Sequence, residues 1–185
     1  GDNHAVSWTQ DRLDRRGSNP RRARQMHRKL DDLYVQQEDV AGLDFVFFPL
    51  HTEPEVSLLV YIPWSLNQIE FIRNLGQAIP VGMHLVVKEH PASVGKRPLS
   101  YYEKLLQIPN VRLADPALDS RAFVENARLV ATIAGSIGLE ALLRKKPVIT
   151  YGRTPYDFLP DTMIRRVGRL DRLAWHVKDL MHHYD

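Results

Sequence analysis

Residues Ala127 to Gly152 read A-R-L-V-A-T-I-A-G-S-I-G-L-E-A-L-L-R-K-K-P-V-I-T-Y-G, and few folds can hold that pattern. Leu129 to Ile133 is an apolar run of strand length, and Gly135-Ser136-Ile137-Gly138 is a tight turn. Leu139 to Leu143 is a short helix that Lys145-Lys146-Pro147 brings to an end. Val148 to Tyr151 is a second apolar strand, closed by Gly152. A strand, a turn, a helix and a strand in this order form a crossover unit of a parallel sheet.

The chemistry of such a unit gathers at the strand-to-helix turn. The first N–H groups of the helix have no internal partner and sit at the positive end of its dipole. Gly135 and Gly138 would let a ligand come close to the backbone, and the Ser136 hydroxyl could donate to a phosphate oxygen. Glu140 follows one turn later on the same helical face, where its carboxylate could accept from ribose hydroxyls. The same residues also suit a tight turn with an acid near a helix start, so a nucleotide site needs support from elsewhere in the chain.

At 185 residues the chain has room for one well-cored α/β domain. Cysteine is absent, which excludes disulfides and thiolate metal sites. No apolar run reaches the roughly 20 residues of a membrane span, and the basic start lacks a signal-peptide core. A soluble, cytoplasmic domain is expected. The net charge of +3 is too small to argue for nucleic acid, and none is expected as a partner. Its distribution is uneven, since Arg12, Arg15, Arg16, Arg21, Arg22, Arg24, Arg28 and Lys29 crowd the beginning.

Residues 1–40 read as a polar lead-in followed by a linker helix from Pro20 to about Gln37. Met26, Leu30, Leu33 and Tyr34 form its apolar stripe, and its other face is basic. A solvated linker is the favoured reading, with a polyanion- or membrane-binding face as the rival. Residues 41–185 read as the α/β domain. Strands are expected at Phe45–Phe48, Met83–Val87 and Val111–Leu113, besides the central unit, and Val56 to Ile62 is a further apolar run. Helices are expected at 65–79, 100–107, 120–126 (capped by Asp119) and 172–183. The alternation gives a Rossmann-like parallel sheet with helices on both faces, preceded by a basic N-terminal helix. Such sheets bind ligands beyond the carboxyl ends of their strands.

Three polar clusters follow strand ends and so share that rim: His51/Glu53/Glu55, Lys88/Glu89/His90 and Gly135/Ser136/Glu140. Lys88 and His90 supply positive charge and donors suited to a phosphate, and Pro91 fixes the loop after them. His84, within its strand, reads as structural. His51, Glu53 and Glu55 in an extended loop do not converge on one point, so no metal is expected. A Ser136–His90 nucleophile pair lacks both the G-x-S-x-G elbow and an acidic orienter, which argues against a hydrolase.

The blocks F-V-F-F-P-L-H-T-E-P-E, L-V-V-K-E-H-P, Y-Y-E-K-L-L-Q-I-P-N-V-R-L, I-A-G-S-I-G-L-E-A and K-P-V-I-T-Y-G resemble, in order and spacing, bacterial capsule polysaccharide biosynthesis proteins. These belong among GT-B glycosyltransferases, some of which use CMP-Kdo. The resemblance covers about residues 44–160 and implies a single GT-B-type half that binds the nucleotide-sugar donor. By the same resemblance, His90 and Pro91 bind the nucleotide phosphate with Ser136, Glu140 faces the nucleotide sugar, and His51, Glu53 and Glu55 line the interdomain cleft. The implied partners are a nucleotide sugar, a saccharide or glycolipid acceptor, and an N-terminal domain or partner chain that carries the catalytic carboxylate. No cofactor is implied beyond the donor substrate, and attachment to the inner face of the cytoplasmic membrane is expected from the pathway. Many retaining relatives carry a second glutamate eight residues before the one matching Glu140, where this chain has Thr132. A sugar-nucleotide epimerase of the same architecture and a non-catalytic polyanion- or partner-binding module remain as alternatives.

Overall fold

A computed structural model describes residues 19–52 and 67–184. The apolar run at 56–62, the expected helix start at Ser65, and Glu53 and Glu55 lie outside the described residues. Seven parallel strands form one sheet: β1 (Tyr34–Val35), β2 (Phe45–Pro49), β3 (His84–Lys88), β4 (Val111–Ala114), β5 (Leu129–Thr132), β6 (Val148–Thr150) and β7 (Ile164–Arg166). Their spatial order is β1-β4-β3-β2-β5-β6-β7. The α/β, Rossmann-like architecture expected from the alternation is therefore the observed one.

Phe45, Val46, Phe47 and Phe48 of β2 are all fully buried, because both faces of the sheet are covered. Val46 and Phe48 join one core with Leu85, Val87, Leu129 and Ile149. That core is closed by α1 (Pro20–Leu30), α3 (Gln68–Ala78), α4 (Leu99–Leu106) and α7 (Leu173–His183). Phe45 and Phe47 join the opposite core with Val86, Val130 and Val148, under α2 (Gln37–Val40), α5 (Ser120–Asn126) and α6 (Ile137–Leu143). The two-residue period of a strand thus assigns each side chain to a layer.

The first forty residues depart from expectation. The helix from Pro20 ends at Leu30, continues as a 3-10 turn over Asp31–Leu33, and gives way to β1. Two consecutive aspartates favour leaving a helix, and Tyr34 and Val35 gain ladder partners in Leu113 and Ala114 of β4. The helix is not a solvated linker either: Met26 and Leu30 are 1% and 2% exposed in the main core. Its start is fastened to the loop after β3, where Asn19 N–H donates to the Gly95 carbonyl at 3.2 Å and Arg22 Nη1 to the Lys96 carbonyl at 3.2 Å. Gly95 has φ +82°, and a Cβ there would press into the Asn19 carbonyl and Ala23. In its described part, the segment expected as a separate linker belongs to the domain. The edge strand β7 was not expected at all. No described helix is long and apolar enough to cross a membrane.

The end of α6 carries one strained residue. Lys145 adopts φ 56°, the left-handed position at which helices usually place glycine, while Lys146 N–H closes back on the Ala141 carbonyl at 2.9 Å. Replacing Lys145 by Gly relieves the Cβ clash at some cost in chain entropy, so Lys145→Gly is expected to stabilise the fold by about 0.5–1 kcal/mol. Urea unfolding at neutral pH measures it, and an unchanged or lower midpoint contradicts it.

Candidate functional site

Strands β2, β3 and β4 succeed one another toward one edge, and β5, β6 and β7 toward the other. The direction of winding reverses between the neighbours β2 and β5, and a reversal of this kind leaves a crevice beyond the strand ends. A cleft of about 630 Å³ lies there, lined by Pro49 at the end of β2 and Leu50 to Thr52 after it, His90 after β3, Asp119 to Arg121 at α5, and Gly135 to Ile137 with Glu140 at α6. Of the expected residues, it brings together His51, His90, Gly135, Ser136 and Glu140.

His51 joins the ends of β2 and β5. Its backbone is clamped by Gln68, which accepts from the His51 N–H at 2.8 Å and donates to its carbonyl at 3.0 Å. On the ring, Nε2 accepts from the Ile133 N–H at 3.2 Å and lies 3.0 Å from Thr132 Oγ1. The Thr132 hydroxyl in turn accepts from the Gly135 N–H at 3.3 Å. Because a backbone N–H can only donate, Nε2 is the bare nitrogen, and these bonds assign the proton of the neutral ring to Nδ1. Thr132 is fully buried in this join.

His90 has the opposite tautomer. Its Nδ1 accepts from the Ala92 N–H at 3.1 Å, capping the 3-10 turn that Pro91 begins, so Nε2 carries the proton of the neutral ring. His90 is exposed on the cleft wall, and Nε2 has no partner among the described residues. A hydrogen-bond donor is thereby available to a ligand. Ser136 precedes α6 and is also exposed, and its hydroxyl makes no capping bond to the helix. Both groups can serve an anion without giving up an internal bond.

Three expected site residues are not on the cleft wall. Lys88 is 2% exposed, with Nζ donating to the Pro116 carbonyl at 3.0 Å. The strand alternation puts it on the Val86 face of β3, inside the sheet. Burial lowers its pKa, and Asp115, Asp119 and Glu89 offset part of that. Pro91 forms the turn behind His90 rather than the wall itself. Gly138 is approached by protein, not by ligand: a Cβ there would overlap the Tyr156 hydroxyl. That hydroxyl donates to the Gly135 carbonyl at 2.6 Å and holds the turn from beneath. Gly135 itself sits against His51 and Thr132. Neither turn glycine has a positive φ, so their role is to admit these neighbours.

The cleft also contains residues that the sequence reading passed over. Arg121 supplies the fixed positive charge that Lys88 does not, and Asp119 caps α5 by accepting from the Arg121 N–H at 3.0 Å. Thr52 bonds Ser93 across the β2 and β3 loops at 3.0 Å. The signal for Arg121 was its place at the start of a helix that follows a strand, which makes it another rim residue.

Two consequences can be measured. Gly138→Ala is expected to destabilise the fold by about 1–3 kcal/mol through overpacking against Tyr156, and adding Tyr156→Phe should recover part of that loss. Additive losses in urea unfolding would contradict the contact. Burial pushes the Tyr156 phenol up to about 12. The unfolded chain therefore releases that proton first, and stability falls as pH rises from about 10. Tyr156→Phe should flatten this alkaline slope, and an unaltered slope between pH 9 and 11 contradicts it.

With the geometry in place, comparison with known proteins adds an independent line. The chain is 32% identical to Protein FixF of Sinorhizobium fredii (strain NBRC 101917 / NGR234) over 136 residues, covering 69% of this chain and 31% of FixF. It spans about a third of that relative's length. Among solved structures, the S. aureus MnaA–UDP co-structure superposes with a TM-score of 0.56 at 15% identity, over 83% of this chain and 42% of the other. KpsC of Thermosulfurimonas dismutans, a beta Kdo 2,7 transferase, superposes with a TM-score of 0.51 at 18% identity, over 86% and 53%. At such identities the likeness is one of fold, that of one Rossmann-like half of the GT-B architecture. The sequence profile of the capsule polysaccharide biosynthesis proteins matches residues 23–162, from the basic helix through the loop before β7, and the chain belongs to that family.

Proposed function

We propose that the cleft binds the nucleotide of a nucleotide-sugar donor, and that this domain is the donor half of a glycosyltransferase in capsule or surface polysaccharide biosynthesis. The observation that carries the proposal is the cleft at the β2/β5 reversal, where Ser136, the Nε2–H of His90 and Arg121 share one wall system with Glu140. The three donors match a phosphate, and the Glu140 carboxylate can accept from a ribose. The reading draws support from family membership and from relatives of this fold whose descriptions name UDP or Kdo transfer. A CMP-linked sugar such as CMP-Kdo is the donor proposed first, because Arg121 is the only fixed cation among the described residues of the cleft.

In this reading the nucleotide phosphate leaves with its growing charge met by Ser136, Arg121 and His90, the last held in orientation by its Nδ1 bond before the reaction begins. The acceptor, a saccharide or glycolipid, and the carboxylate that activates it come from a second domain or a partner chain. Peripheral attachment to the inner face of the cytoplasmic membrane belongs to the same proposal.

A thermal-shift titration with CMP, UDP, GDP and AMP tests it. A ligand at a hundred times its dissociation constant stabilises the native state by about 2.7 kcal/mol. One nucleotide should raise the melting temperature of the wild type, and Ser136→Ala, His90→Ala and Arg121→Met should lose the shift. Lys88→Met should retain it, since Lys88 lies inside the sheet. If no nucleotide acts on the wild type, or Lys88→Met alone abolishes the shift, the assignment fails. Turnover of a sugar nucleotide without any acceptor would instead mark an epimerase.

A further inference from the structure

One charged pair behind the cleft is closed off from solvent. Arg97 is 8% exposed and Glu89 3% exposed, and neither lines the cleft. Arg97 Nη1 donates to Glu89 Oε2 at 2.5 Å, and Nη2 donates to the His51 carbonyl at 2.5 Å. The other oxygen of Glu89 accepts from the His90 N–H at 2.8 Å. The Tyr102 hydroxyl completes Glu89 at 2.8 Å, and the Arg97 guanidinium lies 5.0 Å over the Tyr101 ring.

Stability alone is a poor reason to bury such a pair, because matched apolar side chains commonly serve as well or better. What an apolar pair cannot do is bond the backbone of two loops at once. Here the guanidinium holds the His51 loop with one nitrogen and Glu89 with another, and Glu89 holds the His90 loop. A planar fork is suited to this double attachment, and a point-charge ammonium is not. We infer that Glu89 and Arg97 are positioning residues that fix the separation of the His51 and His90 backbones, and through it the placement of both rings for the ligand of the cleft. The value of that positioning for binding rests on the nucleotide reading given above.

The test uses the whole chain and three variants: Arg97→Lys, Arg97→Met and the apolar pair Glu89→Met with Arg97→Met. Two properties are read beside the melting temperature. Nitrogen-15 NMR of the histidine rings near pH 8 reports their tautomers without any ligand, and calorimetric titration with CMP and with UDP reports binding. Arg97→Met alone should lower the melting temperature, since it strands Glu89. The apolar pair should regain most of that loss yet leave His51 and His90 in the mixed tautomers of free imidazole, with nucleotide affinity weaker by about tenfold or more. Arg97→Lys should stay folded and show the same ring and affinity changes, so the inference survives a test in which the apolar pair fails to fold. Folded variants with wild-type ring signals would overturn it and leave the pair a structural contact. Should the wild type bind neither nucleotide, the nucleotide reading falls, while the ring signals still decide whether the pair positions the histidines.

Discussion

Everything in this domain hangs on β2 being a central strand whose two neighbours wind away from it in opposite directions. Its four apolar residues are buried on both faces, so the strand cannot shift register without exposing aromatic rings to water. Its end is therefore a fixed point, and His51 lies two residues past it. By accepting from the Ile133 N–H, the His51 ring carries that fixity across the reversal to the loop that presents Ser136. The cleft is a consequence of topology first and of side-chain chemistry second.

The rigidity of the site is built from groups that do not line the cleft. Gln68 and Arg97 hold the His51 backbone, Thr132 stands between the His51 ring and Gly135, and Tyr156 props the turn from below. The His51 and Gly135 carbonyls each accept two of these or neighbouring donors, so both loops are held at more than one point. The His90 Nε2–H on the wall is a directed donor, because Nδ1 is tied to the Ala92 N–H. This is the preorganisation that an anion-binding site needs, since little must be rearranged when charge arrives.

Much of this was legible in the amino-acid sequence, for physical reasons that also explain the failures. Strands β2, β3, β5 and β6 announce themselves because burial on both faces demands continuous apolar runs. β1 and β7, two and three residues at the sheet edges, are too short to show any period. The rim loops of His51, His90 and Ser136 were found because parallel strands place their carboxyl ends together. Lys88 was misjudged because its charge was weighed before its parity: two residues after Val86, it faces the same buried layer. Arg121 was missed because the loop from Asp115 to Asp119 separates it from its strand. Gly138 was seen as a place for a ligand, and only three-dimensional contact shows Tyr156 in that space. Glu53 and Glu55 lie outside the described residues.

The pairing of β1 with β4 has a bearing on how the chain acquires its structure. Tyr34 and Val35 find their partners at Leu113 and Ala114, which the ribosome delivers much later, at about 5–20 residues per second. Through those seconds Met26 and Leu30 have no core to enter, and the most basic stretch of the chain carries an uncovered apolar stripe. Folding from the amino terminus onward is thus closed to this domain. The helix at Pro20–Leu30 must wait for β4 before its apolar stripe is covered.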